Sequence, residues 1–262
     1  MTGNPFDIAG RIALVTGAGS GIGRATAQML DAMGAIVAAT DLNAETAAET
    51  AAGFSAGGFA LAHDVTSPSD WERVVADVDA RFGRLNILVN NAGIMINRAF
   101  DEMTLDILHQ QMRVNVDSVF LGMKTAMPLL TTAAGAASII NISSIYGQVA
   151  GAKFSAYSAS KGAVLMMTKA VANEYATRGV RANSVHPGPT QTNLSADWDP
   201  VRGADGELIP VEVAMAAWVN VIPMRRFGAA TDIASMIAFL ASDASSYITG
   251  AEMVVDGGYT AV

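Results

Sequence analysis

Tyr157 and Lys161 stand four residues apart in the stretch Tyr157-Ser158-Ala159-Ser160-Lys161, and Ser144 precedes the tyrosine by thirteen. On a helix, a spacing of four puts the phenol and the ammonium on one face, a turn apart. A free tyrosine, with a pKa of about 10, is a poor base at neutral pH. A cation held beside it favours the phenolate and lowers that pKa. A serine hydroxyl brought to the same point holds a carbonyl or alcohol oxygen by hydrogen bond. The three side chains together could move a proton on and off a hydroxyl. The spacing alone also fits a surface helix with an incidental Tyr–Lys pair, so the surrounding elements must decide.

Near the N-terminus, Ile12-Ala13-Leu14-Val15-Thr16 is a short apolar run of strand formers. It leads into Gly17-Ala18-Gly19-Ser20-Gly21-Ile22-Gly23, after which residues 24–33 read as a helix. A strand, a glycine turn and a helix start make a phosphate site: glycines let the backbone approach a pyrophosphate, and the helix N-terminus offers free N–H groups. The glycine loop is weak alone, but an acid stands at the right distance. Asp41 closes the next apolar strand, eighteen residues past Gly23. Its carboxylate can accept both ribose hydroxyls of adenosine and would repel a 2′-phosphate. Leu42 follows it, and Ser20 fills the loop position where a basic residue could have met that phosphate. The pattern therefore predicts NAD in preference to NADP. Asp41 or Asn43 could equally cap the helix starting at Ala44.

Apolar runs at 12–16, 36–40, 59–62, 87–90, 138–142, 181–185 and 252–255 alternate with helical patterns at 24–33, 44–52, 69–82, 104–130, 156–178 and 231–241. Such alternation predicts βαβ units and a doubly wound, seven-stranded parallel sheet of Rossmann type, an α/β fold in one domain spanning 1–262.

The chain resembles the short-chain dehydrogenase/reductase family over nearly its whole length. The resemblance is carried by Thr16-Gly17-Ala18-Gly19-Ser20-Gly21-Ile22-Gly23, Asp64-Val65, Asn90-Asn91-Ala92-Gly93, Asn115, Ser143-Ser144, Tyr157 with Lys161, and Pro187-Gly188, all in the family's order. It implies the strand order 3-2-1-4-5-6-7 and a catalytic tetrad of Asn115, Ser144, Tyr157 and Lys161. Tyr157 would be the acid/base, Ser144 would steady the substrate oxygen, and Lys161 would hold the ribose and lower the tyrosine pKa. Asn115 would hold a water linking Lys161 to solvent. Asp64 and Val65 would meet the adenine, and Asn91 would brace the central strands. Ala92, Gly93, Tyr157, Pro187, Gly188, Thr190 and Thr192 complete the expected cofactor contacts. The helices at 104–130 and around Tyr157, with Val164, Met167, Val171 and Tyr175, would pair across a twofold axis. The C-terminal segment 257–262 would pack at a second interface, giving a homotetramer.

Composition narrows the partners. The net charge of −8 comes with no basic cluster, which argues against nucleic acid. Without cysteine there is neither disulfide nor Cys-based metal site. His63, His109 and His186 lack metal-ligand spacing and read as structural. No leader pattern or bilayer-length apolar run is visible, so a cytoplasmic enzyme is expected. An apolar fraction of 51% against 15% charged residues favours subunit contacts.

The segment 189–225 reads as a substrate lid, polar and turn-rich at first and then an apolar helix at 211–221. Met95, Ile145, Gln148, Trp198, Met215 and Trp218 are candidate walls, with Ser144 at the reacting oxygen. An apolar lid without an arginine cluster favours a neutral, hydrophobic substrate, a cyclic or bulky secondary alcohol and its ketone. The resemblance extends to bacterial hydroxysteroid and other cyclic alcohol dehydrogenases. Two rival readings are a 3-oxoacyl-carrier-protein reductase, disfavoured by Asp41 and the acidic balance, and a non-enzymatic NAD-binding regulatory protein, which would need no complete tetrad.

Overall fold

A computed structural model describes residues 4–133, 135–192, 194 and 207–261. Strand β1 (Ile12–Thr16) is buried at every residue, because helices cover both faces of the sheet. Side chains on a strand alternate between faces, and the core divides accordingly. Ile12 and Leu14 join Trp71, Val74 and Val78 of α3 (Pro68–Phe82) and Met123, Ala126 and Leu130 of α5 (Ser118–Thr132). Ala13 and Val15 join Ala27 and Leu30 of α1 (Gly21–Ala32) and Ile233 and Ile237 of α8 (Ala230–Ala241).

Around β1 lie β2 (Ile36–Asp41), β3 (Phe59–Ala62), β4 (Ile87–Asn90), β5 (Ala137–Ile142), β6 (Val180–Pro187) and β7 (Glu252–Val255), all parallel, in the order 3-2-1-4-5-6-7. The connection direction reverses between β1 and β4. A crevice opens there beyond the carboxyl ends of the strands, where ligands bind in open α/β sheets. The sheet and its order agree with the sequence expectation; the differences lie in the helices.

Helix α1 begins at Gly21, three residues earlier than expected, because Ser20 is extended and serves as the N-cap inside the glycine motif. In α2 (Ala44–Ala51) the cap is Asn43, whose side chain accepts the Glu45 and Thr46 amides, so Asp41 is released from that role. The long helix expected at 104–130 is two helices, α4 (Leu105–Met112) and α5, joined by a π-helical turn at Arg113–Asp117. One extra residue per turn leaves the hydrophobic pattern readable as continuous, and such bulges gather at functional sites. Helix α6 (Ser155–Tyr175) ends three residues short of the expected 178, where a tight turn leads to Gly179 at φ +74°. Val164, expected at a subunit interface, is fully buried in this chain's own core, and Met167, Val171 and Tyr175 pack against that core. The exposed apolar residues of α5 and α6 include Phe120 and Met166. Helix α7 (Val211–Val221) forms as the sequence predicts.

Candidate active site

The glycine loop is shaped by close approach. A Cβ on Gly17, which sits at φ +63°, would stand 2.9 Å from the Ala92 Cα, and one on Gly23 would stand 2.0 Å from the Gly17 carbonyl oxygen. Only hydrogen fits where β1, β4 and α1 converge. Asn91 fastens the same junction: its side-chain amide donates to the Thr16 and Gly17 carbonyls at 2.9 and 3.2 Å, and Thr16 Oγ1 accepts the Asn91 and Ala92 amides. The Ser20 hydroxyl does not cap α1, so the first turn, which lines the crevice, has no side-chain cap among the described residues. Asp41 accepts the Gly19 amide at 2.9 Å and the Asn43 amide at 3.0 Å. This holds its carboxylate against the loop, with Leu42 exposed beside it. Arg24, in the first turn of α1, is held by the Gly19 carbonyl and by Glu49 at 3.1 Å.

The carboxyl end of β5 carries the serine. Ser144 Oγ accepts the Tyr146 amide at 3.1 Å and lies close enough to the Tyr157 hydroxyl to favour its ionisation. The turn Ile145–Gly147 packs so closely on α6 that a Cβ on Gly147 would lie 2.9 Å from the Lys161 carbonyl oxygen. His186 supports the turn from below: Nδ1 lies 2.8 Å from the Ser144 carbonyl oxygen, and Nε2 lies 2.8 Å from Ser184 Oγ. Tyr157 and Lys161 share one face of α6, both buried. Lys161 Nζ donates to the Ile142 carbonyl at 2.9 Å and stands 5.7 Å from the centre of the Tyr157 ring.

Asn115 lies in the π turn and is buried. Its amide oxygen accepts the Ile94 amide at 2.8 Å, and its nitrogen donates to the Ile94 carbonyl and to Ser160 Oγ at 2.9 and 3.0 Å. The asparagine thus fixes the chain after β4 to the helix that carries Tyr157 and Lys161.

One expectation needs correction. The lysine was to lower the tyrosine pKa; here burial dominates, pushing the Tyr157 phenol up to about 12, with the Ser144 hydroxyl opposing more weakly. Burial also brings Lys161 down to about 8. Both groups are deprived of water, and the lysine hydrogen-bonds a carbonyl instead of the phenol.

A cleft of about 690 Å³ connects these parts. It runs from Asp41, Leu42, Asp64 and Val65 past Gly17, Ser20, Gly21 and Ile22, then past Asn91, Ala92 and Gly93, to Ser144, Tyr157 and Lys161, with Pro187, Gly188, Thr190 and Thr192 along it. Gly23 and Asn115 stand behind this lining. Met95, Ile145 and Trp218 line the cleft as expected. Gln148 does not; it is drawn away by its hydrogen bond to Glu252 at 2.5 Å. Met215 sits on an exposed face of α7 and does not line the cleft either. Trp198 lies outside the described residues. Sequence reasoning missed Gln110, Val114, Phe154 and Phe227 as lining. Phe154, an aromatic residue between Ser144 and Tyr157, left a usable signal; the other three left none.

A dinucleotide fits this cleft. Glycines open the loop where any Cβ would close it, Asp41 stands at the end of β2, and the buried Nε2 of His63, on the wall beside Asp64, has no hydrogen-bond partner. A crevice at the sheet's switch point with a Ser–Tyr–Lys set at its end defines a nicotinamide-dependent oxidoreductase. The chain belongs to the short-chain dehydrogenase/reductase family: the family model described as enoyl-(acyl carrier protein) reductase matches residues 17–260. A 2,5-dichloro-2,5-cyclohexadiene-1,4-diol dehydrogenase of Sphingobium indicum is 39% identical, with 97% of each chain aligned. A cyclohexanol dehydrogenase of Acinetobacter is 37% identical over 95% of each chain. An NADP-dependent (R)-specific alcohol dehydrogenase of Lentilactobacillus kefiri is also 37% identical, covering 96% of this chain and 97% of its own. A crystal structure of a short-chain type dehydrogenase/reductase from Mycobacterium marinum superposes with a TM-score of 0.86 at 34% identity, covering 98% of both chains.

Proposed function

We propose that this enzyme interconverts a neutral, hydrophobic, cyclic or bulky secondary alcohol and its ketone, uses NAD in preference to NADP, and employs Tyr157 as the acid/base. The observation that carries the reading is the Ser144–Tyr157–Lys161 cluster, buried at the end of a cleft whose walls beyond it are apolar: Ile94, Met95, Ile96, Phe154, Trp218 and Phe227. Lys161 is the only lysine or arginine among the described lining residues, so no second cation there pairs with a charged group on the substrate. The cyclohexanol and cyclohexadiene-diol specificities of the relatives favour an alicyclic alcohol.

The glycine loop and the first turn of α1 would hold the pyrophosphate, and Asp41 the adenosine ribose. When bound, the nicotinamide supplies a hydride acceptor or donor and, oxidised, a positive charge. Ser144 Oγ holds the substrate oxygen as charge shifts on it. Tyr157 takes the alcohol proton in oxidation and returns it in reduction. Because burial holds the phenol near 12, its ionisation needs positive charge nearby. Lys161, ionised below its pKa of about 8, supplies part of that charge and would hold the second ribose, while Asn115 fixes the floor beneath it. The NADP-dependent relative shows that this scaffold also serves the phosphorylated cofactor; Asp41 beside Gly19, with Arg24 engaged by Glu49, argues for NAD here.

A single catalytic domain carries its lid at about 189–225. Phe120 on α5 and Met166 on α6 are exposed apolar residues suited to a twofold contact, and we assign a homotetramer, to be checked by light scattering at micromolar concentration. Among the described residues no helix is long and apolar enough to cross a membrane, in keeping with a cytoplasmic enzyme. The test of function is kcat/KM for NAD and NADP against a panel of cyclic, linear and primary alcohols. Highest values with NAD and cyclic secondary alcohols are expected. Equal use of NADP overturns the cofactor reading, and a preference for an acyl thioester on a carrier protein overturns the substrate reading.

A further inference from the structure

Helix α7 brings Trp218 to the cleft, yet none of its described residues is buried, and Val213, Met215 and Val221 are exposed. An apolar helix so weakly covered needs an anchor if its tryptophan is to hold one position. The C-terminal tail supplies it. The Asp256 carboxylate accepts the Gly258 and Thr260 amides, each at 2.8 Å, and the Thr260 hydroxyl at 2.7 Å, curling the chain after β7. Gly257, at φ +65°, accepts the Met224 amide through its carbonyl at 3.1 Å. A Cβ on it would press within 2.9 Å of Ile222, just past the end of α7. The curl presents Tyr259 between two walls of the cleft. Its ring stacks on Trp218, with centroids 6.3 Å apart and planes 13° from parallel. Its phenol lies close enough to Tyr146 to help burial push the Tyr146 phenol up to about 12. Tyr146 in turn lies edge-to-face with Tyr157 at 6.4 Å and against Phe154 at 4.7 Å.

We propose that Tyr259 is a positioning and specificity-determining residue: it latches α7 to the turn after Ser144, and so fixes the distance from Trp218 to the reacting centre and the size of alcohol accepted. The proposal rests on the reading that Trp218 walls the substrate end. Tyr259 itself does not line the cleft; it acts through Trp218 and Tyr146. Aromatic stacking of this kind contributes beyond buried area alone, and the phenol adds a polar contact with Tyr146 that a merely space-filling residue would lack.

The test uses the full-length enzyme with NAD, comparing cyclohexanol with 2-propanol in wild type, Tyr259→Ala, Tyr259→Phe, Trp218→Ala and the double variant Trp218→Ala/Tyr259→Ala. Tyr259→Ala is expected to raise KM for cyclohexanol roughly tenfold, with 2-propanol KM, kcat and the NAD Kd changed less than about threefold. Tyr259→Phe keeps the stack and should recover most of the loss. The double variant should be no worse than Trp218→Ala, since residues acting through one contact are not additive. Should Tyr259→Ala melt below the assay temperature, Tyr259→Leu, which keeps bulk without the ring, reads the same split. Equal damage to both alcohols, an altered NAD Kd, or additive effects in the double variant would overturn the latch. If Trp218→Ala itself shows no dependence on alcohol size, the reading of the substrate end fails instead.

Discussion

The half of the cleft built on β1 to β4 and the half built on β5, β6, α7 and the tail solve different problems. In the first, the cleft is shaped largely by backbone: glycines without Cβ atoms, the first turn of α1, and side chains such as Asn91 and Asp41 that hold the backbone still. In the second, the walls are side chains on a short turn and on a helix with no buried residue among those described, backed by a curled tail. A cofactor common to many enzymes needs a fixed cradle. A substrate particular to one needs walls that change without disturbing the sheet. Tyr157 and Lys161 lie where the halves meet.

If that division is right, damage at the meeting point should reach both functions. Lys161→Ala is expected to lower kcat/KM by roughly 10³-fold or more and also to weaken NAD binding, because one ammonium serves the tyrosine and the ribose. Steady-state kinetics with isothermal titration checks this, and intact NAD affinity would confine the lysine to the chemistry. A change in the cradle should touch only the cofactor. Asp41→Ala should narrow the NAD-to-NADP ratio of kcat/KM by about 10-fold to 100-fold while leaving the ranking of alcohols unchanged. A reordered ranking would show the halves to be coupled. A change in the walls should do the converse. Trp218→Ala should raise KM for bulky alcohols about tenfold with little effect on small ones or on NAD.

The smallest expected effect is on stability. The folded pKa of Lys161, about 8, lies below its ordinary 10.5. As pH rises from 8 towards 10, the folded chain has released this proton while the unfolded chain still holds it, so stability rises relative to Lys161→Met. The gain is on the order of 1–3 kcal/mol. Urea melts of both proteins at about pH 7.5 and pH 9.5 read it, and a constant difference would mean that burial does not depress the lysine.

The same division explains what could be read in the sequence. The cradle was legible because backbone requirements leave marks: Gly17 and Gly23 tolerate no Cβ, and Asn91 must bond two carbonyls. Strands buried on both faces gave continuous apolar runs, and the sheet followed from them. Asn115 was legible by resemblance, but the π turn that aims it was not, since an inserted residue hardly alters an apolar pattern. The walls were legible in part. Ile145 and Trp218 line the cleft, but Gln148, in the same run as Ile145, turns out to Glu252, and Met215, on the same helix as Trp218, faces away. Any apolar residue can form such a wall, so type alone does not say which way it faces. The tyrosine pKa was misjudged for a different reason: spacing reports proximity to a charge and says nothing of desolvation, which here is the larger influence.

The central claim is that Tyr157 transfers the substrate proton on a cradle that binds NAD largely without its hydroxyl. Single-turnover reduction of NAD by cyclohexanol, followed at the nicotinamide absorbance in wild type and Tyr157→Phe, tests it most directly, with the NAD Kd measured in parallel. We expect the phenylalanine variant to bind NAD within about threefold of wild type and to turn over at least roughly 10³-fold more slowly. A variant that forms reduced cofactor at a near-normal rate would contradict the assignment.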